Sequence, residues 1–124
     1  MEFQCPDCKL ETLVIVKSIE LPPDVRSDEI RLQVIRCRSC TFEGVAIYEE
    51  SRRGKLDSES FDHYGYRLPE ADLKSISELI KRCPTPGNAR CKCASHQELG
   101  QRDGAGRWIK PNMSADTNIF PIKW

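Results

Sequence analysis

CPDCKLETLVIVKSIELPPDVRSDEIRLQVIRCRSC, residues 5–40, decides the fold. Cys5-Pro-Asp-Cys8 opens the stretch and Cys37-Arg-Ser-Cys40 closes it, with 28 residues between the pairs. Thr12–Ile19 (TLVIVKSI) is β-branched and apolar, the composition of a strand. Leu21–Asp28 contains Pro22 and Pro23, which cannot sit in a sheet interior, so it reads as a turn. Glu29–Arg36 alternates, with Ile30, Leu32 and Val34 on one face and Arg31 and Gln33 on the other, the period of a half-buried strand. The turn makes these two strands an antiparallel hairpin, and the hairpin brings the two cysteine pairs to one end. Phe42–Tyr48 (FEGVAIY) supplies a third strand, with Gly44 expected at a bulge or a close backbone approach.

Two cysteines separated by two residues in a tight turn can both point inward. Two such turns held together complete a tetrahedron of thiolates, the donor set and geometry of structural zinc. The other uses of Cys-x-x-Cys are a redox pair or thiols that fill a core. A redox pair sits at a helix start in a thioredoxin-like βαβ setting, and this sequence offers none. Cys5, Cys8, Cys37 and Cys40 are therefore the expected ligands of a first zinc ion. Losing any one of them is expected to unfold the lobe, because metal affinity in such a site is folding energy.

This arrangement resembles the zinc-ribbon superfamily, in which two knuckles sit on a three-stranded antiparallel sheet. The resemblance covers residues 1–50, and the Cys pairs and strand pattern carry it. The spacing is similar to the zinc-binding half of MqsA-type antitoxins. Those proteins continue into a helix-turn-helix, whereas this chain shows a single well-marked helix, which argues against the same DNA-reading role. Many ribbons place Gly directly after a knuckle. Lys9 and Thr41 stand there in this chain, so its knuckle turns are expected to differ slightly in shape.

Cys83, Cys91, Cys93 and His96 fall within fourteen residues, and Pro84–Arg90 between the first two is rich in turn formers. A loop folding back to Cys83 sets three thiols and an imidazole around a second zinc ion. The seven cysteines of the chain are then all used, and His96 supplies the missing ligand. The alternative is that Cys83 is a buried thiol at a helix end and the other two are incidental.

The helix in question spans about residues 69–82. Pro69 suits its first turn, Glu70 and Asp72 complement its N-terminal dipole, and Pro84 stops it. Leu73, Ile76, Leu79 and Ile80 form an apolar stripe expected to cover the sheet. The fold class is thus small α+β: a three-stranded antiparallel zinc ribbon (1–50), a loop plus one amphipathic helix packing on the ribbon (51–82), a second zinc knuckle (83–96) and a Gly-rich, partly flexible tail (97–124). Within that tail, Ile119, Phe120, Ile122 and Trp124 are the residues able to dock.

The chain has 124 residues, enough for one domain and a metal-organised lobe. Its net charge is zero, which argues against attachment to nucleic acid by bulk positive charge. The zero is a cancellation: residues 1–50 carry six basic and ten acidic side chains, residues 51–124 thirteen and nine. The longest apolar run is Leu13–Val16, so no membrane span is expected. Met-Glu-Phe-Gln-Cys-Pro is acidic and lacks an apolar core segment, so no secretory signal is expected and the chain reads as cytoplasmic.

Closed sites leave no thiol free as a nucleophile, and His63 reads as a solvated loop histidine rather than a general base. The first functional reading is therefore a non-enzymatic, zinc-stabilised interaction module working mainly through protein–protein contacts. The alternative is nucleic-acid binding through the basic loop Arg52, Arg53 and Lys55 and the basic C-terminal half with Arg102, Arg107, Trp108 and Lys110, where cations interleave with an aromatic. The third is a redox-sensitive accessory protein with a labile second zinc site.

Overall fold

The structure of the protein, a computed structural model, describes residues 2–51, 60–110 and 119–122. Its centre is a five-stranded antiparallel sheet in sequential order: β1 (Leu13–Leu21), β2 (Glu29–Cys37), β3 (Glu43–Ser51), β4 (Ser60–Tyr66) and β5 (Ile119–Pro121). Helix α1 (Glu70–Arg82) and the one-turn helix α2 (Ala94–Leu99) complete the α+β architecture. Among the described residues no helix is long and apolar enough to cross a membrane.

The first three strands lie where composition and alternation put them. In β2, Ile30 pairs with Leu21, Leu32 with Ile19, and Ile35 with Ile15. The bulge falls in β1, between Ile15 and Lys17, where the register slips by one residue. Gly44 is a close approach instead: a Cβ there would lie 2.7 Å from the Tyr66 carbonyl oxygen.

One face of the sheet packs under the helix. Ile19, Leu21, Ile30, Leu32, Val34, Val45 and Ile47 meet the α1 stripe of Leu73, Ile76 and Ile80 in a single cluster. The helix forms because its apolar residues recur at helical spacing, and Glu70, Asp72, Lys81 and Arg82 sit where the dipole favours them. Pro69 caps it from outside rather than opening its first turn.

The other face is not left to solvent. At the cysteine end Phe3, Leu13, Ile35, Phe42 and Ala46 form a second cluster with Cys5 and Cys37. Gln33, on the β2 face opposite Ile30, Leu32 and Val34, is 6% exposed. It stays tolerable there because its amide oxygen meets Nε2 of His63 at 2.8 Å. His63 is therefore a strand residue, not a loop one. Its ring stands edge-on to Phe3 and Tyr48, with centroids 5.5 Å from each. Burial holds its pKa below the ordinary histidine value.

Three further elements enlarge the fold that the sequence alone outlines. β4 arises inside the stretch read as a loop or an irregular hairpin arm ahead of the helix, by pairing residue for residue with β3 from Val45↔Tyr66 to Ser51↔Ser60. β5 lies inside the tail. α2 begins at Cys93, whose Sγ accepts the His96 N–H at 3.4 Å and caps the helix.

Residues 100–110 are tied down by the β1–β2 turn. Asp24 Oδ1 accepts N–H bonds from Arg26 and Ser27, and its Oδ2 accepts the Trp108 N–H at 2.9 Å. Burial pushes this carboxyl up, but those donors and the Arg102 charge outweigh it and leave its pKa below the ordinary value. Gly106 adopts φ +82°, and a Cβ on it would sit 2.8 Å from Val25 Cγ1. Only glycine fits both demands.

Candidate metal centres

At the end of the β1–β2 hairpin Cys5, Cys8, Cys37 and Cys40 present four sulfurs all within 4.8 Å of one another. Cys5 and Cys40 Sγ are 3.6 Å apart, Cys8 and Cys37 Sγ 3.7 Å. A tetrahedron with metal–sulfur bonds of about 2.3 Å has edges of about 3.8 Å, so the spacing fits zinc. The residues reach this geometry because Leu13↔Cys37 closes the hairpin and Phe3 pairs with Leu13 beside it, bringing both turns to one strand end.

The first turn folds tightly. Cys5 N–H bonds to the Leu10 carbonyl and Lys9 N–H to the Cys5 carbonyl, at 2.8 and 3.0 Å. This requires Lys9 in the left-handed region, φ +67°. The turn thus keeps the shape a glycine would favour and forces a lysine into it, rather than changing shape to suit the side chain. Thr41 carries no such strain.

Backbone and hydroxyl donors aim at the sulfurs. Ser39 and Cys40 N–H each lie 3.3 Å from Cys37 Sγ, and the Thr12 hydroxyl donates to the same atom at 3.0 Å. Burial raises the Cys37 pKa, but these donors outweigh it and bring it to about 6. Cys40 receives one N–H from Phe42, yet burial and the crowding of Cys37, Cys5 and Cys8 push it up to about 12. Without a cation the cluster holds thiolate and thiol side by side. A divalent ion removes that conflict and releases the protons. Thr12 carries no signal in the sequence, since any hydroxyl before a strand looks the same.

The second cluster sits at the opposite end of β1. Cys83 and Cys91 Sγ are 3.9 Å apart, and His96 Nδ1 lies 3.2 Å from Cys83 Sγ and 3.3 Å from Cys93 Sγ. All four ligand atoms fall within 4.8 Å. Cys83 is placed by the end of α1, Cys93 and His96 by the first turn of α2. Burial, with Cys91 and Cys93 close by, raises the Cys83 pKa to about 11. The Thr85 hydroxyl, then the Cys93 backbone, lowers Cys91 to about 7.

His96 is 3% exposed, and its other ring nitrogen, Nε2, donates to the carbonyl of Glu20 at 3.0 Å. That bond fixes the tautomer and turns Nδ1 toward the sulfurs, as second partners of metal-bound histidines do. Glu20 N–H also reaches the Pro86 carbonyl, at 2.7 Å. The edge of β1 therefore grips the second cluster through both backbone groups of one residue. Sequence reading missed Glu20, because a backbone contact leaves no residue-type signature.

Of the residues considered for nucleic-acid contact, Arg102, Arg107, Trp108 and Lys110 lie among the described residues. Arg52, Arg53 and Lys55 lie outside the described residues. Arg102 and Arg107 are exposed, in the turn tied to Asp24. The Trp108 indole N–H bonds to the Leu99 carbonyl at 2.7 Å, and its ring packs against the helix-side core. Lys110 Nζ lies 3.3 Å from the Tyr66 hydroxyl and 5.6 Å from the centre of its ring. Arg107, Trp108 and Lys110 do share a groove of about 680 Å³ with Ile47, Tyr64 and Tyr66.

No protein-family model, curated protein or solved structure gives a significant match to this chain. The four-cysteine cluster is compatible with a zinc ribbon, and both clusters have donor sets that fit zinc.

Proposed function

We propose that the chain is a non-enzymatic, zinc-stabilised interaction module acting mainly through protein–protein contacts. The observation that carries this reading is that each cluster supplies four ligand atoms to one point, S₄ in the first and S₃N in the second. A four-coordinate zinc in such a cluster has no open corner for substrate or water. All seven cysteines are used in this way, leaving no free thiol as a nucleophile. Zinc would then supply folding energy to the two ends of β1, and the surface between would supply recognition. The nucleic-acid alternative has Arg107, Trp108 and Lys110 on one groove, where Trp108 also packs half-buried against the helix-side core and Lys110 lies beside the Tyr66 ring.

Elemental analysis with thiol titration before and after chelation tests the reading. It expects two zinc ions per chain and thiols masked until the chelator is added. One zinc with about three reactive thiols would overturn it in favour of a redox-active second cluster. Binding of nucleic acid that weakens steeply with added salt would overturn the protein-contact part.

A further inference from the structure

β4 is shaped to receive one aromatic ring. A Cβ added to Gly65 would lie 2.3 Å from the Phe120 ring, so the missing side chain is what seats it. Phe120 stands edge-on to Phe42, with centroids 5.6 Å apart, and packs on the cluster beside the first metal site. The Arg67 guanidinium lies 5.1 Å from the Phe42 ring centre and 5.9 Å from that of Phe120. Arg67 also pairs with Asp7 of the first cysteine turn at 2.5 Å, so the rim of the socket is anchored to that turn.

The next residue is read as well. Ile122 N–H bonds to the His63 carbonyl at 2.9 Å, and the register continues as Tyr64↔Pro121 and Gly65↔Phe120. Antiparallel pairs alternate between hydrogen-bonded and non-bonded. Tyr64↔Pro121 is thus a non-bonded pair, and the N–H that proline lacks would have pointed away from β4. This edge accepts Phe in the socket and Pro after it without loss of a bond.

The segment filling the socket is short. Three residues pair, and Ile119 is 54% exposed. One half-buried aromatic and a few hydrogen bonds are set against the ordering of four residues, terms of similar size. We propose that the β4 edge with its Gly65 socket is a peptide-binding site for an extended Phe-Pro segment of a partner protein, occupied in cis by Ile119–Ile122. Recognition is strand addition, with main-chain bonds giving affinity and the socket giving specificity. The cis segment competes at the high effective concentration of a tethered ligand. The inference rests on the interaction-module reading and gives that module's partner its chemistry.

The test uses the full zinc-loaded chain and a fluorescent peptide of residues 117–124 (TNIFPIKW). Phe120→Ala vacates the socket and should bind the peptide at least tenfold more tightly than the unsubstituted chain. Adding Gly65→Ala should abolish that gain, as should replacing the peptide's Phe by Ala. Equal binding by all three proteins, or none by a Phe120→Ala protein that retains both metals, overturns the proposal. If Phe120→Ala loses metal, amide exchange in the unsubstituted chain decides. Phe120 and Ile122 should exchange at least a hundredfold faster than Val34 and Val45. Equal rates would mean the segment leaves only on global unfolding, and would overturn the proposal. So would Phe120-dependent dimers, which would place a second copy's segment in the socket. Zinc content and thiol masking of the same samples report on the module reading separately.

Discussion

His96 Nε2 donates to the carbonyl oxygen of Glu20, 76 positions earlier in the chain, at 3.0 Å. The bond joins a candidate metal ligand to the edge strand of the sheet and leaves Nδ1 as the ring atom facing the sulfurs. His96→Cys offers a fourth thiolate but no N–H to Glu20. The expected outcome is a chain that still takes two metals, with affinity at the second site lowered about 10- to 100-fold. Competitive chelator titration measures it. His96→Ala, by contrast, should leave one zinc per chain.

Lys9 sits at φ +67° because the first turn needs a left-handed residue. A side chain there costs about 1–2 kcal/mol, part of which glycine forfeits through its freer unfolded chain. Lys9→Gly should therefore raise the stability of the zinc-loaded protein by about 1 kcal/mol in urea unfolding. Lys9→Val should lower it, because branching at Cβ worsens the same clash.

His63 is held neutral by burial, with its pKa below the ordinary 6.5. As pH falls below 6.5 the unfolded chain takes up a proton that the folded chain refuses. Its contribution to stability is thus complete above 6.5 and is lost as pH falls through the lower folded value. His63→Gln keeps a hydrogen-bonding group for Gln33 and should flatten the pH dependence between 7.5 and 5.5. The difference in slope is bounded by about 1.4 kcal/mol per pH unit, the limit for one proton. Urea midpoints of the two zinc-loaded proteins across that range provide the comparison.

Asp24 and Gly106 fasten the 100–110 segment to the β1–β2 turn. Asp24→Ala removes the acceptor for three N–H groups and should cost roughly 2 kcal/mol. Gly106→Ala meets both positive φ and Val25, and should cost about 1–2 kcal/mol. Amide exchange at Trp108 should quicken in each variant while Val34 in the central sheet stays protected.

The metal clusters were legible because ligand spacing is itself geometry: Cys-x-x-Cys twice at hairpin ends, and Cys83, Cys91, Cys93 and His96 within one compact loop. β2 and α1 were legible because apolar residues recur with the period of the element, β1 and β3 because their residues are apolar and largely β-branched. β4 was not. Its sequence SFDHYGY places Phe61, His63 and Gly65 on one face and Asp62, Tyr64 and Tyr66 on the other, so neither face reads as apolar. Pairing with β3, a long-range effect, makes it a strand. The six residues of α2 have too little length to propagate as a helix alone. They are set by the Cys93 cap and the demands of the second cluster. β5 is three residues chosen by a gap in another strand, which no local pattern announces.

The placement of the two clusters has a consequence for proteostasis. β1 is the outermost strand of the sheet, and its edge is capped at Leu13 by Phe3 and at Glu20 by Pro86 and His96. Both caps belong to segments organised by the cysteine clusters. Between them lies Val14–Ile19, apolar and β-branched apart from Lys17 and Ser18, with the Val16 bulge and the Lys17 charge to turn away another chain. Stripping the metals would lengthen a guarded edge into an open template for intermolecular pairing. Zinc scarcity would then register as aggregation and turnover of the chain before any change in what it binds.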